Sequence, residues 1–125
     1  MQIRQLNQDE LADFRGLVEI FKEVFENEAP IADNQQLSKL LAHPDFRVFV
    51  VKQGSRVVGG LTLYVLHQYY STRPLAYLYD VAVAPAFQRR GLGKQLMTAV
   101  CDYCRANGFE AAYVEAESDD IEAVE

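Results

Sequence analysis

The sequence predicts an α+β domain: a mixed sheet, mostly antiparallel with one parallel pair, flanked by helices. Apolar residues recur at helical spacing from Leu11 to Phe25. Strand-like runs separated by turn signals fill 46–84, and a strand–loop–helix–strand unit follows from Leu75 to Glu117. The 125 residues read as one domain, 1–125. A chain of this size buries roughly two thirds of its unfolded surface, enough for a core without staples.

Gln2 to Leu6 reads as a short first strand. Asn7, with Glu10 three residues on, has the form of a capping box and is expected to open the first helix. Leu11, Phe14, Val18, Phe21 and Phe25 then recur at spacings of three and four, widened by Leu17, Ile20 and Val24, which makes one core-facing stripe. Pro30 breaks the chain. Asp33 is placed to cap a second, short helix through Leu37, Leu40 and Leu41, which Pro44 ends.

Phe46 to Lys52 is rich in Val and Phe and reads as a strand, turning at Gln53-Gly54-Ser55-Arg56 into a second strand from Val57 to Tyr70. Gly59-Gly60 inside that strand marks a bulge or a close approach of another backbone. After a turn at Ser71 to Pro74, Leu75 to Ala84 is the central strand. A helix buried through Leu92, Leu96, Ala99, Val100 and Tyr103 ends at Asn107-Gly108, a left-handed stop. Glu110 to Glu117 is the last strand, and Asp119 begins a further helix. The step from the central strand through that helix to 110–117 is a βαβ crossover, so these two strands run parallel and lie near one another.

The formal net charge is -6 and about a quarter of the residues are charged. An acidic balance without interleaved basic and aromatic residues argues against a nucleic-acid partner and permits a cationic substrate. No run approaches the roughly 18 apolar residues of a membrane span. Met1 is followed by no signal-peptide pattern, so the expected location is the cytoplasm, away from membranes. Cys101 and Cys104 have redox-pair or half-zinc-site spacing. Their position inside a helix, with no second pair and with His43 and His67 far off in sequence, favours two small helix residues and no metal.

Against the global charge, Gln88-Arg89-Arg90-Gly91-Leu92-Gly93-Lys94 is locally basic and lies between the central strand and a helix start. A helix N-terminus leaves its first N–H groups unpaired and carries about half a positive charge, so it seats anions. Gly91 and Gly93 let an oxygen approach the main chain, and Arg89, Arg90 and Lys94 add charge. A Walker loop would need Gly at 88 and Ser or Thr at 95, where the chain has Gln88 and Gln95. A dinucleotide fingerprint starting at Gly91 would need a small residue where Leu96 stands. What remains is Gln-x-x-Gly-x-Gly after a strand; the alternative is a surface turn with a glycine-rich helix cap.

In that context the chain resembles the GNAT superfamily of N-acetyltransferases, whose same turn holds the pyrophosphate of acetyl-CoA. The resemblance runs over nearly the whole chain. It implies that acetyl-CoA binds at 81–94, with Gln88, Arg89, Arg90, Gly91, Leu92, Gly93 and Lys94 on the pyrophosphate. The pantetheine arm would pair along Val81, Ala82 and Val83, which the residues alone read as plain core. It also implies direct acetyl transfer to a primary amine in a ternary complex.

Asp80 interrupts the apolar strand Leu78-Tyr79-Asp80-Val81-Ala82-Val83, and an ionised carboxylate there is costly unless paired. A substrate ammonium could be that partner, which makes Asp80 the candidate general base; pairing with an Arg or a backbone N–H is the alternative. Tyr77 to Val83, with Tyr113 to Asp120, is similar to the aminoglycoside 3-N-acetyltransferase branch, in which acidic residues hold a polycationic amine. Glu115 and Glu117 share parity on a strand, and Asp119 and Asp120 extend the acidity or cap the next helix. The family adds two more strands and commonly a Tyr that protonates the leaving thiolate, whereas this sequence stops at Glu125. The expectation is a piece of a longer protein, ahead of a gap filled by a neighbouring chain, and a homodimer is compatible with either. The alternatives in function are an acyl-CoA-binding or subunit-interaction module without turnover, and an enzyme acting on a protein N-terminus or lysine.

Overall fold

In the computed structural model, which describes residues 1–114, the elements follow the predicted order. They are β1 (Gln2–Gln5), α1 (Leu11–Val24), α2 (Asn34–Leu41), β2 (Phe46–Gln53), β3 (Arg56–Leu66), β4 (Leu75–Val83), α3 (Leu92–Ala106) and β5 (Ala111–Val114). The described strands form one sheet in the order β1-β2-β3-β4-β5, antiparallel except for the parallel pair β4–β5. The α+β mixed-sheet expectation therefore holds, including the crossover through α3.

Two helices cover one face of the sheet and α3 the other. On the first face Phe14 of α1 packs against Phe46 of β2, ring centroids 5.7 Å apart. On the second, Tyr103 of α3 meets Phe49 of β2 edge-on at 4.9 Å. Strand alternation explains the division, since Phe46 and Phe49 have opposite parity. Leu17 of α1, Leu61, Leu63 and Leu78 of the sheet and Leu96 of α3 are fully buried.

Gly60 shows why α1 lies so close. A Cβ built there would stand 2.4 Å from the Phe49 carbonyl oxygen and 2.9 Å from both methyls of Leu17. Close approach is thus the role of the Gly59-Gly60 pair. A ladder irregularity also flanks the pair, since Val51 pairs with Gly59 but Lys52 with Val57, and a second lies opposite Thr62.

Two boundaries differ from expectation. The capping box does not open α1. Asn7 accepts from the Asp9 N–H at 2.9 Å, making a turn of its own, while the Glu10 carboxylate reaches back to the Asn7 N–H at 3.0 Å and to Arg4 of β1. The box is spent on joining β1 to the helix, which starts at Leu11. The strand expected to reach Tyr70 ends at Leu66, where its partner begins at Leu75. With no ladder beyond that pair, Tyr69 and Tyr70 lie in a loop closed by Gln68 donating to the Arg73 carbonyl, their tilted rings 4.4 Å apart. Asp33 does cap α2, accepting from the Gln36 N–H at 2.9 Å, and Gly108 at φ +78° ends α3. Phe109 N–H bonds back to the Cys104 carbonyl, completing that stop. The last part of the expected final strand and the helix from Asp119 lie outside the described residues.

Candidate active site

The site forms where β4 ends and α3 begins. Past Val83 the chain makes a single 3-10 turn, Pro85–Phe87, with Phe87 buried in the core. Gln88 then donates from its side-chain amide to the Val83 carbonyl at 2.9 Å. Gln88, expected on the pyrophosphate, thereby ties the loop to the end of β4. Arg89 follows at φ 65° and Gly91 at φ 79°, both left-handed. For Arg89 that conformation costs on the order of 1 kcal/mol, a strain that the surrounding fold imposes.

These two turns aim the main chain of 89–94 outward. Among the described residues, none accepts a hydrogen bond from the main-chain N–H groups of Arg89 to Lys94, and no side chain caps α3. Arg89, Arg90 and Lys94 are exposed, and no described carboxylate lies within ion-pair distance of them. Open donors and unneutralised cations around one helix end can hold an anion of several negative charges.

Sequence reading missed a further cation. Arg56, the first residue of β3, places its guanidinium 5.4 Å from the Phe87 ring centroid, while Arg90 stands 5.1 Å from the same centroid. Two like charges share one aromatic face or edge, which increases the local positive potential. Only the fold brings residues this far apart in sequence together.

Asp80 stands at a bulge. Leu61 pairs with Val81 and Leu63 with Leu78, so Tyr79 and Asp80 together oppose Thr62. The Asp80 main-chain N–H donates to the buried Thr62 hydroxyl at 3.3 Å. The extra residue carries Asp80 to the α1 face, beside Tyr79. There both line a cavity of about 410 Å³ between the sheet, α1 and the α1–α2 connection, together with Thr62, Tyr64, Phe46 and Ile31. Burial first, then the Asp80 carboxylate and Tyr79, push the Tyr64 phenol above its ordinary value of 10.0. Tyr64 and Thr62 share parity in β3, a signal that marks their common face but not what it faces.

Val81, Ala82 and Val83 are buried, and among the described residues the registered pairs of β4 with β5 run from Leu75–Ala111 to Leu78–Val114. Glu115, Glu117, Asp119 and Asp120 lie outside the described residues. Cys101 and Cys104 both sit on α3, and burial, with Cys101 next, pushes the Cys104 thiol up. Among the described residues no cluster of His, Cys, Asp or Glu could hold a metal ion, and no helix is long and apolar enough to cross a membrane.

Comparison with known proteins agrees with this fold. The model of the Acetyltransferase (GNAT) family matches residues 14–125. A solved aminoglycoside acetyltransferase, meta-AAC0020 from an uncultured soil metagenomic sample, in complex with sisomicin, is 44% identical with a TM-score of 0.91, covering 98% of this chain and 82% of that one. Aminoglycoside N(6')-acetyltransferase type 1 of Salmonella enteritidis is 28% identical over 103 residues, 80% of this chain and 69% of the relative. Histone acetyltransferase GCN5 of Debaryomyces hansenii is 27% identical over 107 residues, 85% of this chain but 23% of its own. The expected 3-N branch is corrected here: the aminoglycoside relatives named by position among these are N(6') enzymes.

Proposed function

Because the chain belongs to the GNAT acetyltransferase family and is an acetyltransferase, we propose that it carries acetyl from acetyl-CoA to a primary amine of an aminoglycoside. The observation that carries this reading is the set of open main-chain N–H groups at 89–94, flanked by unneutralised Arg89, Arg90 and Lys94. A diphosphate is the anion that this arrangement suits, and acetyl-CoA is the cosubstrate of the family. Aminoglycoside as the acceptor is supported by the sisomicin complex of a relative 44% identical to this chain.

In this reading the diphosphate sits on the N–H groups of Gly91, Leu92, Gly93 and Lys94, with Arg89 and Arg90 over it. The pantetheine arm runs along Val81, Ala82 and Val83 and brings the thioester towards Asp80. The acceptor enters through the cavity beside Tyr64 and Tyr79. Its ammonium is held by Asp80, with Glu115, Glu117, Asp119 and Asp120 as further acidic ligands. The Asp80 carboxylate accepts a proton from the ammonium, directly or through water. The freed amine attacks the thioester carbonyl, the C–N bond forms, the C–S bond breaks, and CoA leaves as a thiolate that takes up a proton.

The test is release of free thiol from acetyl-CoA with sisomicin, a linear polyamine and a lysine peptide, on wild type and on Asp80→Asn. Wild type is expected to turn over sisomicin, and Asp80→Asn to lose about 100-fold in kcat. Full rate in Asp80→Asn removes Asp80 from its role. A preference for the lysine peptide moves the acceptor to proteins, the reading that the histone acetyltransferase relative favours. Thermal protection by acetyl-CoA without thiol release from any amine leaves a binding module. Fragmentation of the acetylated product by mass spectrometry reads which amine was modified.

A further inference from the structure

The acceptor side of the sheet carries more aromatic surface than the core requires. Resting on the reading of the chain as an aminoglycoside acetyltransferase, we propose that Tyr77, Tyr79 and Tyr113 form a platform on which an amino-sugar or aminocyclitol ring lies, with its cationic rim at Asp80.

The backbone register builds this platform. Tyr77 of β4 and Tyr113 of β5 are direct partners in the parallel ladder, so their side chains stand side by side on one face. Tyr79 is two residues further along the same face, its ring centroid 5.9 Å from that of Tyr77. Tyr64 of β3 meets the Tyr79 ring edge-on at 5.8 Å and backs it from the other side. Tyrosines of three neighbouring strands thus share the face that leads to the bulge presenting Asp80. Tyr64 and Tyr77 are half-buried and serve the core as well. Tyr79 and Tyr113 are 45% and 55% exposed, so core packing does not account for them.

The chemistry selects the occupant. An aromatic face is electron-rich and attracts C–H groups and ammonium ions, whereas it offers little to a hydroxyl oxygen. A saturated six-membered ring with equatorial amines has C–H-lined faces and a cationic edge. Laid on the tyrosines, it turns that edge towards the carboxylate at the bulge. A flexible linear polyamine has the charge but no such face. The platform therefore adds a preference for rings to the charge selection made by Asp80.

The test compares sisomicin with spermidine by isothermal titration against the protein loaded with CoA, using wild type, Tyr79→Leu, Tyr113→Leu and Tyr79→Phe. Loss of either exposed ring is expected to raise the sisomicin Kd about tenfold and to leave that of spermidine within about twofold. Tyr79→Phe keeps the ring and is expected to bind as wild type. In turnover, KM for sisomicin rises with kcat unchanged, and thermal midpoints stay near wild type because the removed rings are exposed. Equal losses for the two ligands, or unchanged sisomicin binding in both Leu variants, overturns the platform. Failure of the underlying reading looks different: wild type then releases no thiol with sisomicin, while the titration still reports whether the rings discriminate.

Discussion

The main-chain N–H of Asp80 donates to the Thr62 hydroxyl at 3.3 Å. Because Tyr79 and Asp80 together face Thr62, one N–H of β4 falls out of the ladder, and the hydroxyl takes the place of a strand carbonyl. Thr62 is buried, so this bond holds the Asp80 main chain against β3 beside the cavity.

Thr62→Val keeps the shape and removes the acceptor. It is expected to cost about 1–2 kcal/mol in stability and to lower kcat several-fold, while Thr62→Ser restores both. Urea unfolding with steady-state kinetics checks this. A wild-type kcat in Thr62→Val would show that the bulge holds Asp80 by other means.

Gly60→Ala is expected to destabilise the fold by on the order of 3 kcal/mol. The added methyl meets a backbone carbonyl of β2 and both methyls of Leu17, and at most one of the two can move aside. The measurement is the chemical-denaturation midpoint. A loss as small as that of an exposed substitution would mean that α1 can slide on the sheet.

Gly91→Ala separates strain from contact at the anion-binding turn. Open space surrounds the position, yet φ is +79°, so folding loses about 1–2 kcal/mol. Acetyl-CoA protection against thermal unfolding is expected to fall further than this loss alone accounts for, because the methyl stands among the open N–H groups. Unchanged protection would place the diphosphate elsewhere.

Alkaline behaviour follows from Tyr64. Its phenol is raised above the ordinary value by burial, by the Asp80 carboxylate and by Tyr79, so the folded protein favours the neutral form. That preference contributes fully below the unfolded value of 10.0 and is lost as pH rises through the higher folded value. Stability is therefore expected to fall from about pH 10 upward, and less steeply in Tyr64→Phe. Superimposable profiles for the two proteins would assign the fall to other groups.

Features set by neighbours along the chain were legible in the residues. The Asp33 cap, the Gly108 stop, the α1 stripe and the run from strand to anion-binding turn to helix each depend on a handful of consecutive positions. Even local patterns failed where a tertiary partner competed for them. Glu10 is drawn to Arg4 of β1 and to the Asn7 N–H, so α1 starts late.

The sequence by itself determined that an open, basic helix N-terminus follows an apolar strand carrying one carboxylate, because spacing along a chain defines both. The tertiary structure alone decided which residues those two features would meet. Pairing register produces the bulge under Asp80 and lines up Tyr77 with Tyr113, and packing brings Arg56 to Phe87 beside Arg90. The physical reason is that register and packing are set by contacts between residues distant in sequence, and periodicity names a face without naming what lies across from it.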